Sequence, residues 1–155
     1  MNSKNAQEVS AFVARVPAEC GMDPLLAHLE IFGAPEFDEA GAILRLRLRD
    51  HHLNGNASAH GGLLMTLMDA VLACCTLGHG SGRGCVTVEL KTNFMRPGGT
   101  AGDLLVARGF LRSSGRSLAF CDGEVRNEAG ELLATASGTF KYVNLRATPT
   151  LPQPT

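Results

Sequence analysis

The chain has 155 residues, 19% of them charged and 45% hydrophobic, and its formal net charge at pH 7 is -1. This length favours a single globular domain that buries its core without disulfides or metals, and the composition is too apolar for a disordered protein. The basic residues are scattered along the chain, which argues against nucleic acid or an anionic membrane surface as a partner.

The cysteine content argues against a disulfide framework or a zinc site, because the count is odd and no C-x-x-C spacing occurs. The cysteines are Cys20, Cys74, Cys75, Cys85 and Cys121. We therefore expect a reducing, cytoplasmic setting and no metal or organic cofactor. The first sixteen residues mix charged and apolar side chains at helical spacing and lack the apolar core of a signal peptide, so they predict a surface helix.

The segment before residue 60 predicts a helical turn, a strand pair and a loop. Pro24 to Leu29 has helical character, and residues 30–37 fit a first, irregular strand. From residue 42, leucines at 44, 46 and 48 alternate with arginines at 45, 47 and 49, the period-two pattern of a strand with one buried face. The Asn, Gly and Ser residues of 54–58 are typical of a loop.

Residues 61–77 are apolar almost all round and predict a helix that is buried on most sides and ends at Gly78. Strand-like runs follow from Val86 and near residues 103–111, 116–126 and 131–143, separated by turn signals. The order predicts an α+β domain over residues 1–145, with one antiparallel sheet wrapped around the helix. The proline-rich tail, residues 146–155, is expected to be disordered.

Asp69 is the only acidic or basic side chain of the predicted central helix. An isolated buried carboxylate costs several kcal/mol, so such a residue is paired, protonated or kept for function. Two interpretations stay open at this point. Asp69 is either a functional carboxylate or a structural one that is satisfied by backbone or by a hydroxyl such as that of Thr66 or Thr76.

His60-Gly61-Gly62 stands where the helix begins, and free backbone N–H groups at a helix start suit a developing negative charge. The alternative is that the two glycines only allow tight packing. Gly61 and Asp69 are about 12 Å apart along a helix that rises about 1.5 Å per residue. One carbonyl group cannot touch both, so joint action on one substrate carbonyl requires the Asp69 of a second, antiparallel copy.

Several spaced motifs together resemble hotdog-fold acyl-CoA thioesterases of the phenylacetic-acid-degradation (PaaI-like) type. They are the run from Asn54 to Gly62, Leu67-Met68-Asp69, residues 86–90, residues 93–97, Gly102-Asp103, Gly115-Arg116 and residues 134–140. The resemblance covers roughly residues 30 to 143 and is specific because many matches stand in register. It implies a hotdog fold, in which an antiparallel sheet wraps a long central helix.

The resemblance also implies roles for individual residues. Asp69 would be the general base or nucleophile, Gly61 would donate its N–H to the thioester oxygen, and His60 and Asn54 would help to place substrate and water. Thr87 would supply a hydroxyl beside the carboxylate in the same subunit. Strand parity counts against Thr87, because Val86, Val88, Leu90 and Phe94 share the opposite face and form the natural core set.

Gly62, Arg96 and Arg116 are the candidates for contact with the substrate, the two arginines with the phosphates of CoA. The expected function is hydrolysis of an acyl-CoA, with an aromatic or medium-chain acyl group, by a homodimer with shared active sites that forms a dimer of dimers. A hotdog dehydratase and a non-catalytic acyl-CoA sensor are the alternatives. A serine hydrolase is disfavoured because Gly80-Ser81-Gly82 is not a G-x-S-x-G motif, and His51 and His52 are interpreted as surface residues.

Overall fold

A computed structural model describes residues 24–31, 35–79 and 83–144. The helices and strands are α1 (Pro24–His28), β1 (Glu36–Phe37), β2 (Ala42–Arg47), a 3-10 turn (Asp50–His52), α2 (Gly61–Leu77), β3 (Gly84–Phe94), β4 (Leu104–Ser114), β5 (Leu118–Asn127) and β6 (Leu132–Val143). The predicted N-terminal surface helix, the proline-rich tail and the glycine loop at 80–82 lie outside the described residues.

The six strands form one antiparallel sheet in the order β1-β2-β4-β5-β6-β3, and α2 packs across it. This is the α+β hotdog arrangement that the sequence predicted. Within the described residues, no helix combines the length and the apolar character that a membrane span needs.

Helix α2 lies close to the sheet because it meets glycines on the central strands β4 and β5. Leu67, Met68, Val71 and Leu72 are fully buried. A Cβ atom at Gly109 of β4 would stand 2.9 Å from the Val71 carbonyl oxygen, and one at Gly123 of β5 would stand 2.9 Å from Leu72 Cδ2. The absence of side chains at these positions therefore sets the distance between helix and sheet.

Strand β2 confirms the alternation that its sequence predicts. Leu44, Leu46 and Leu48 are buried, whereas Arg45 and Arg47 are exposed. The alternation fixes which face of β2 points at α2, and with it the register of the pairing with β4, in which Leu44 stands opposite Ala107.

Strand β3 contradicts the expected core set. Val86, Val88 and Phe94 are 48%, 60% and 51% exposed, and of the four expected residues only Leu90 packs against the core. For Val86 and Val88 the physical reason is a bulge, because Thr87 pairs with Phe140 but Glu89 pairs with Thr139, so Val88 is an extra residue. Phe94 shares the face of Leu90 and lies at the end of the strand beside Gly61. The bulge reverses the parity of the strand, so that Thr87 before it and Leu90 after it both face α2.

Candidate active site

Asp69 and Thr87 meet on the helix side of β3. The Thr87 hydroxyl donates a hydrogen bond to Asp69 Oδ1 over 2.7 Å. The contact exists because α2 presents Asp69 on a half-buried face and the bulge turns Thr87 towards it. Neither hydroxyl that the sequence suggested as a partner contacts the carboxylate, since the Thr66 hydroxyl donates to the Gly62 carbonyl and the Thr76 hydroxyl contacts Cys121 Sγ.

The surroundings of Asp69 leave its carboxylate without a fixed counter-charge. No basic side chain of the described ranges forms an ion pair with it. Burial, followed by the negative charge of Asp69, raises the pKa of the neighbouring Cys85 thiol to about 11. Cys85 therefore stays protonated near neutral pH, and the carboxylate is the group of this pair that can act as a base or nucleophile.

The start of α2 holds one backbone N–H donor that no described residue accepts. His60 is the N-cap, with φ -66° and ψ 135°, and its ring Nδ1 accepts the Gly62 N–H over 2.9 Å. Gly61, the first helical residue, has no acceptor for its N–H in the part of the chain that the structure describes. The geometry thus distinguishes the two glycines: Gly62 is engaged by His60, and the Gly61 N–H is free to bind an oxygen atom.

His52 supports this helix start and was wrongly interpreted as a surface residue. It is 1% exposed, its Nδ1 accepts the Arg49 N–H at 3.0 Å, and its Nε2 lies 2.6 Å from the Leu29 carbonyl oxygen. Since Nδ1 accepts, the neutral ring carries its proton on Nε2 and donates it to Leu29. The His52 carbonyl in turn accepts the His60 N–H at 2.9 Å, which links the N-terminal segment to the helix cap.

Asn54 folds its own loop with the carboxamide oxygen, which accepts the N–H groups of Asn56 at 2.8 Å and Ser58 at 3.3 Å. Ser58, which the sequence did not single out, fastens that loop to the chain after β3: its hydroxyl oxygen accepts the Gly98 N–H at 3.1 Å. Both residues lie on the Gly61 side of the molecule, and their contacts hold the segment that leads into α2.

Arg96 and Arg116 lie at opposite ends of the sheet. Arg96 follows β3 and donates to the Leu132 carbonyl at 3.1 Å, beside a cleft of about 400 Å³ whose lining includes Asp103, Glu128 and Glu131. Arg116 lies in the turn between β4 and β5, where its carbonyl accepts from Arg83, the residue before β3. One chain therefore does not bring both guanidinium groups to the same ligand.

The predicted catalytic residues form two separate half-sites in one chain. At one half-site Thr87 meets Asp69; at the other, a Cβ atom on Gly61 would lie 3.4 Å from the ring of Phe94. Gly61 and Asp69 stand about 12 Å apart along the helix. Among residues 24–31, 35–79 and 83–144, no three His, Cys, Asp or Glu side chains are grouped to hold a metal.

The chain is similar to known thioesterases over most of its length. A model of the thioesterase superfamily matches residues 56–134. Acyl-coenzyme A thioesterase 13 of Mus musculus is 27% identical over 139 residues, 88% of this chain and 94% of that protein. Acyl-coenzyme A thioesterase PaaI of Escherichia coli is 32% identical over 101 residues, 65% of this chain and 70% of that protein.

Solved structures agree. E. coli PaaI, from the phenylacetic acid degradation operon, matches with a TM-score of 0.71 and 26% identity over 92% of this chain and 95% of that one. The Streptococcus mutans protein smu.793, bound to acetyl CoA, matches with a TM-score of 0.66 and 26% identity over 76% of this chain and 94% of that one. With a family match over half of its length, the chain belongs to the thioesterase superfamily and is a thioester hydrolase of the hotdog fold, homologous to PaaI.

Proposed function

We propose that the protein hydrolyses acyl-CoA thioesters to free acid and CoA at sites shared between two subunits. In each site Asp69 comes from one subunit and the Gly61 N–H from the other. The observation that carries the proposal is the pair of half-sites. One is a carboxylate held by a hydroxyl at 2.7 Å, and the other is a backbone donor, without an acceptor among the described residues, that lies about two helical turns away along the same helix.

The free edge of β3 supports pairing with a second copy. No described strand lies on its outer side, and Val86, Val88 and Phe94 of this strand are about half exposed. A long, apolar, unpaired edge is a template for another strand. Antiparallel pairing of two β3 strands about a two-fold axis sets the Phe94 end of one beside the Thr87 end of the other, and so Gly61 of one subunit beside Asp69 of its partner.

In this arrangement the thioester oxygen accepts a hydrogen bond from the Gly61 N–H, which also lies at the positive end of the α2 dipole. The Asp69 carboxylate then either removes a proton from water, which adds to the carbonyl carbon, or attacks that carbon itself and forms an anhydride that water opens. In both routes the C–S bond breaks and the CoA thiolate leaves, to be protonated from the water that is consumed. Thr87 orients the carboxylate, and His60 and Asn54 fix the loop that presents Gly61.

The same pairing suits the charge of CoA. Arg96 of one subunit and Arg116 of the other come to the same end of the paired strands, although they are far apart in one chain. Two guanidinium groups at one end would bind phosphates. The acetyl CoA bound to smu.793 and the similarity to acyl-coenzyme A thioesterase PaaI support an acyl-CoA substrate, and we propose an aromatic or medium-chain acyl group.

A dimer of dimers is also proposed. Phe120 and Leu118 are 46% and 38% exposed and lie on β5, where their buried neighbour Ala119 faces inward. They therefore project from the sheet face opposite α2. Contact between two dimers through this face would bury these two side chains. Native mass spectrometry should then show a tetramer.

The test is a panel of acyl-CoA substrates with short, medium, long and aromatic acyl groups, followed by release of free thiol. Asp69→Asn should lower kcat by orders of magnitude in a folded protein, because a base is needed in the transition state far more than in binding. Asp122→Asn is the matched control, since Asp122 pairs with Arg112 away from α2. Binding of acyl-CoA without turnover by the wild type would make the protein a sensor and end the proposal.

A further inference from the structure

One stripe of α2 is exposed or only half-buried. Its members are Gly61, Gly62, Met65, Thr66, Asp69, Ala70, Ala73, Cys74 and Leu77. Between Gly61 and Asp69 the larger apolar residues Leu63, Leu64, Leu67 and Met68 are buried, whereas Met65 is 39% exposed. Met65 is thus the one large apolar side chain on the open stripe between the two half-sites, and its neighbours there are small enough for another helix to approach closely.

The position of Met65 has a consequence that rests on the proposed shared site. In an antiparallel pair of helices related by a two-fold axis, residues equally far from the axis lie opposite each other. If Gly61 lies opposite the partner's Asp69, the axis passes the midpoint, which is residue 65. Strand β3 agrees, because α2 and β3 run antiparallel: Gly61 lies beside Phe94, and Asp69 lies beside Thr87. Met65 therefore meets the partner's Met65 at the axis.

Each site then lies about 6 Å along the helix from the axis, half of the 12 Å between Gly61 and Asp69. The CoA end and the acyl end of the substrate then extend in opposite directions along the helix. Arg96 follows Phe94 and lies beyond Gly61, on the side away from the axis, so the charged nucleotide of CoA extends outward. The acyl group extends inward, into the space between the two sites, where it meets the thioether side chains.

We propose that the two Met65 side chains form a common wall between the paired active sites and set the length of acyl group that the enzyme accepts. An unbranched thioether has three rotatable bonds and adapts to the end of an acyl chain, which suits a wall that is met from both sides. Met65 is a specificity-determining residue in this account and takes no part in bond breaking.

The first test compares kcat/KM for decanoyl-CoA with that for butyryl-CoA. Met65→Ala opens the wall and should raise this ratio by about tenfold or more, because each methylene that a pocket accepts or rejects changes the rate by roughly 10- to 200-fold. Met65→Phe should lower the ratio. Leu118→Ala, a change at a similarly exposed residue on the other face of the sheet, should leave the ratio unchanged. An unchanged ratio in an active Met65→Ala protein would overturn the inference and leave the hydrolysis proposal intact.

The second test measures the placement without catalysis. Met65→Cys puts two thiols at the axis, and a short bismaleimide should join the two chains into a covalent dimer on a denaturing gel. Wild-type protein treated in parallel reports any linkage through the natural cysteines. Absence of the dimer band in a protein that is dimeric by native mass spectrometry would overturn the placement of Met65. Failure of the wild type to hydrolyse any acyl-CoA would instead overturn the proposed function.

Discussion

Replacing Gly61 with proline removes the proposed oxyanion donor and leaves the helix intact. Gly61 is the first residue of α2, where proline is favoured because the missing N–H has no acceptor within the helix. The residue before a proline must be extended, and His60 already has ψ 135°. A Cβ atom at position 61 would lie 3.4 Å from the Phe94 ring, an ordinary van der Waals distance.

The size of the effect follows from the role of the N–H. Loss of one oxyanion donor costs about 2.7–4 kcal/mol of transition-state stabilisation, or roughly 10²–10³-fold in kcat. We expect Gly61→Pro to show a loss of this size with a much smaller change in KM, because the bond strengthens as charge develops on the oxygen. Gly61→Ala is the matched variant: it adds the Cβ atom, keeps the N–H and should stay close to the wild-type rate.

The assay follows thiol release from the best acyl-CoA of the panel with a chromogenic disulfide, at enzyme concentrations low enough that protein thiols contribute little. Circular dichroism and thermal unfolding show that each variant is folded. If Gly61→Pro turns over as fast as Gly61→Ala, the start of α2 does not stabilise the transition state, and the reasoning from the free N–H is wrong.

Two further predictions concern the carboxylate half-site. Thr87→Val removes the 2.7 Å hydrogen bond to Asp69. It should lower kcat by roughly 10- to 100-fold, since a hydrogen bond to a charged group contributes about 1.5–3 kcal/mol. Thr87→Ser should retain most of the rate, and equal rates for both variants would exclude a role for the hydroxyl. Asp69→Asn removes a negative charge that helps to raise the pKa of Cys85 to about 11, so this pKa should fall. Alkylation of Cys85 at pH 9, measured by mass spectrometry, should then become faster. An unchanged alkylation rate would contradict the proximity of the Asp69 carboxylate to the Cys85 thiol.

The central helix and most strands were predictable because their side-chain periods are long and regular. The apolar run 61–77 became α2 with the same bounds, and the alternation from residue 42 became β2. Asp69 stood out for the same reason, as the one charge in an apolar helix. These signals are local, and periodicity within one element is sufficient to detect them.

The parity of β3 was not predictable, because a bulge leaves no mark in the alternation of the sequence. Val86 and Val88 are apolar and suggested a core face together with Leu90 and Phe94, but the extra residue at 88 turns Thr87 inward and leaves Val86 and Val88 exposed. The parity objection to Thr87 was therefore wrong. His52 escaped detection because its partners are backbone atoms of Arg49 and Leu29, and the second of these is brought close only by tertiary folding.

The sequence predicted which residues belong to the candidate site better than it predicted their contacts. The resemblance named Asn54 and His60 as groups that place substrate and water, whereas the structure shows the Asn54 carboxamide oxygen bound to its own loop and the His60 ring bound to the Gly62 N–H. Ser58 had no signal in the sequence, because its role depends on the Gly98 N–H forty residues later. Their catalytic roles stay predictions.

Subunit complementation tests the shared site most directly. Gly61→Pro and Asp69→Ala proteins, each nearly inactive, are mixed under conditions in which subunits exchange, and exchange is shown independently by mass labelling. In a mixed dimer one site has both changes and the other has neither. Activity should approach about a quarter of wild type at random exchange, because half of the dimers are mixed and each has one intact site of two. If labelled heterodimers form and activity stays at the level of the parents, Gly61 and Asp69 do not act together across the subunits.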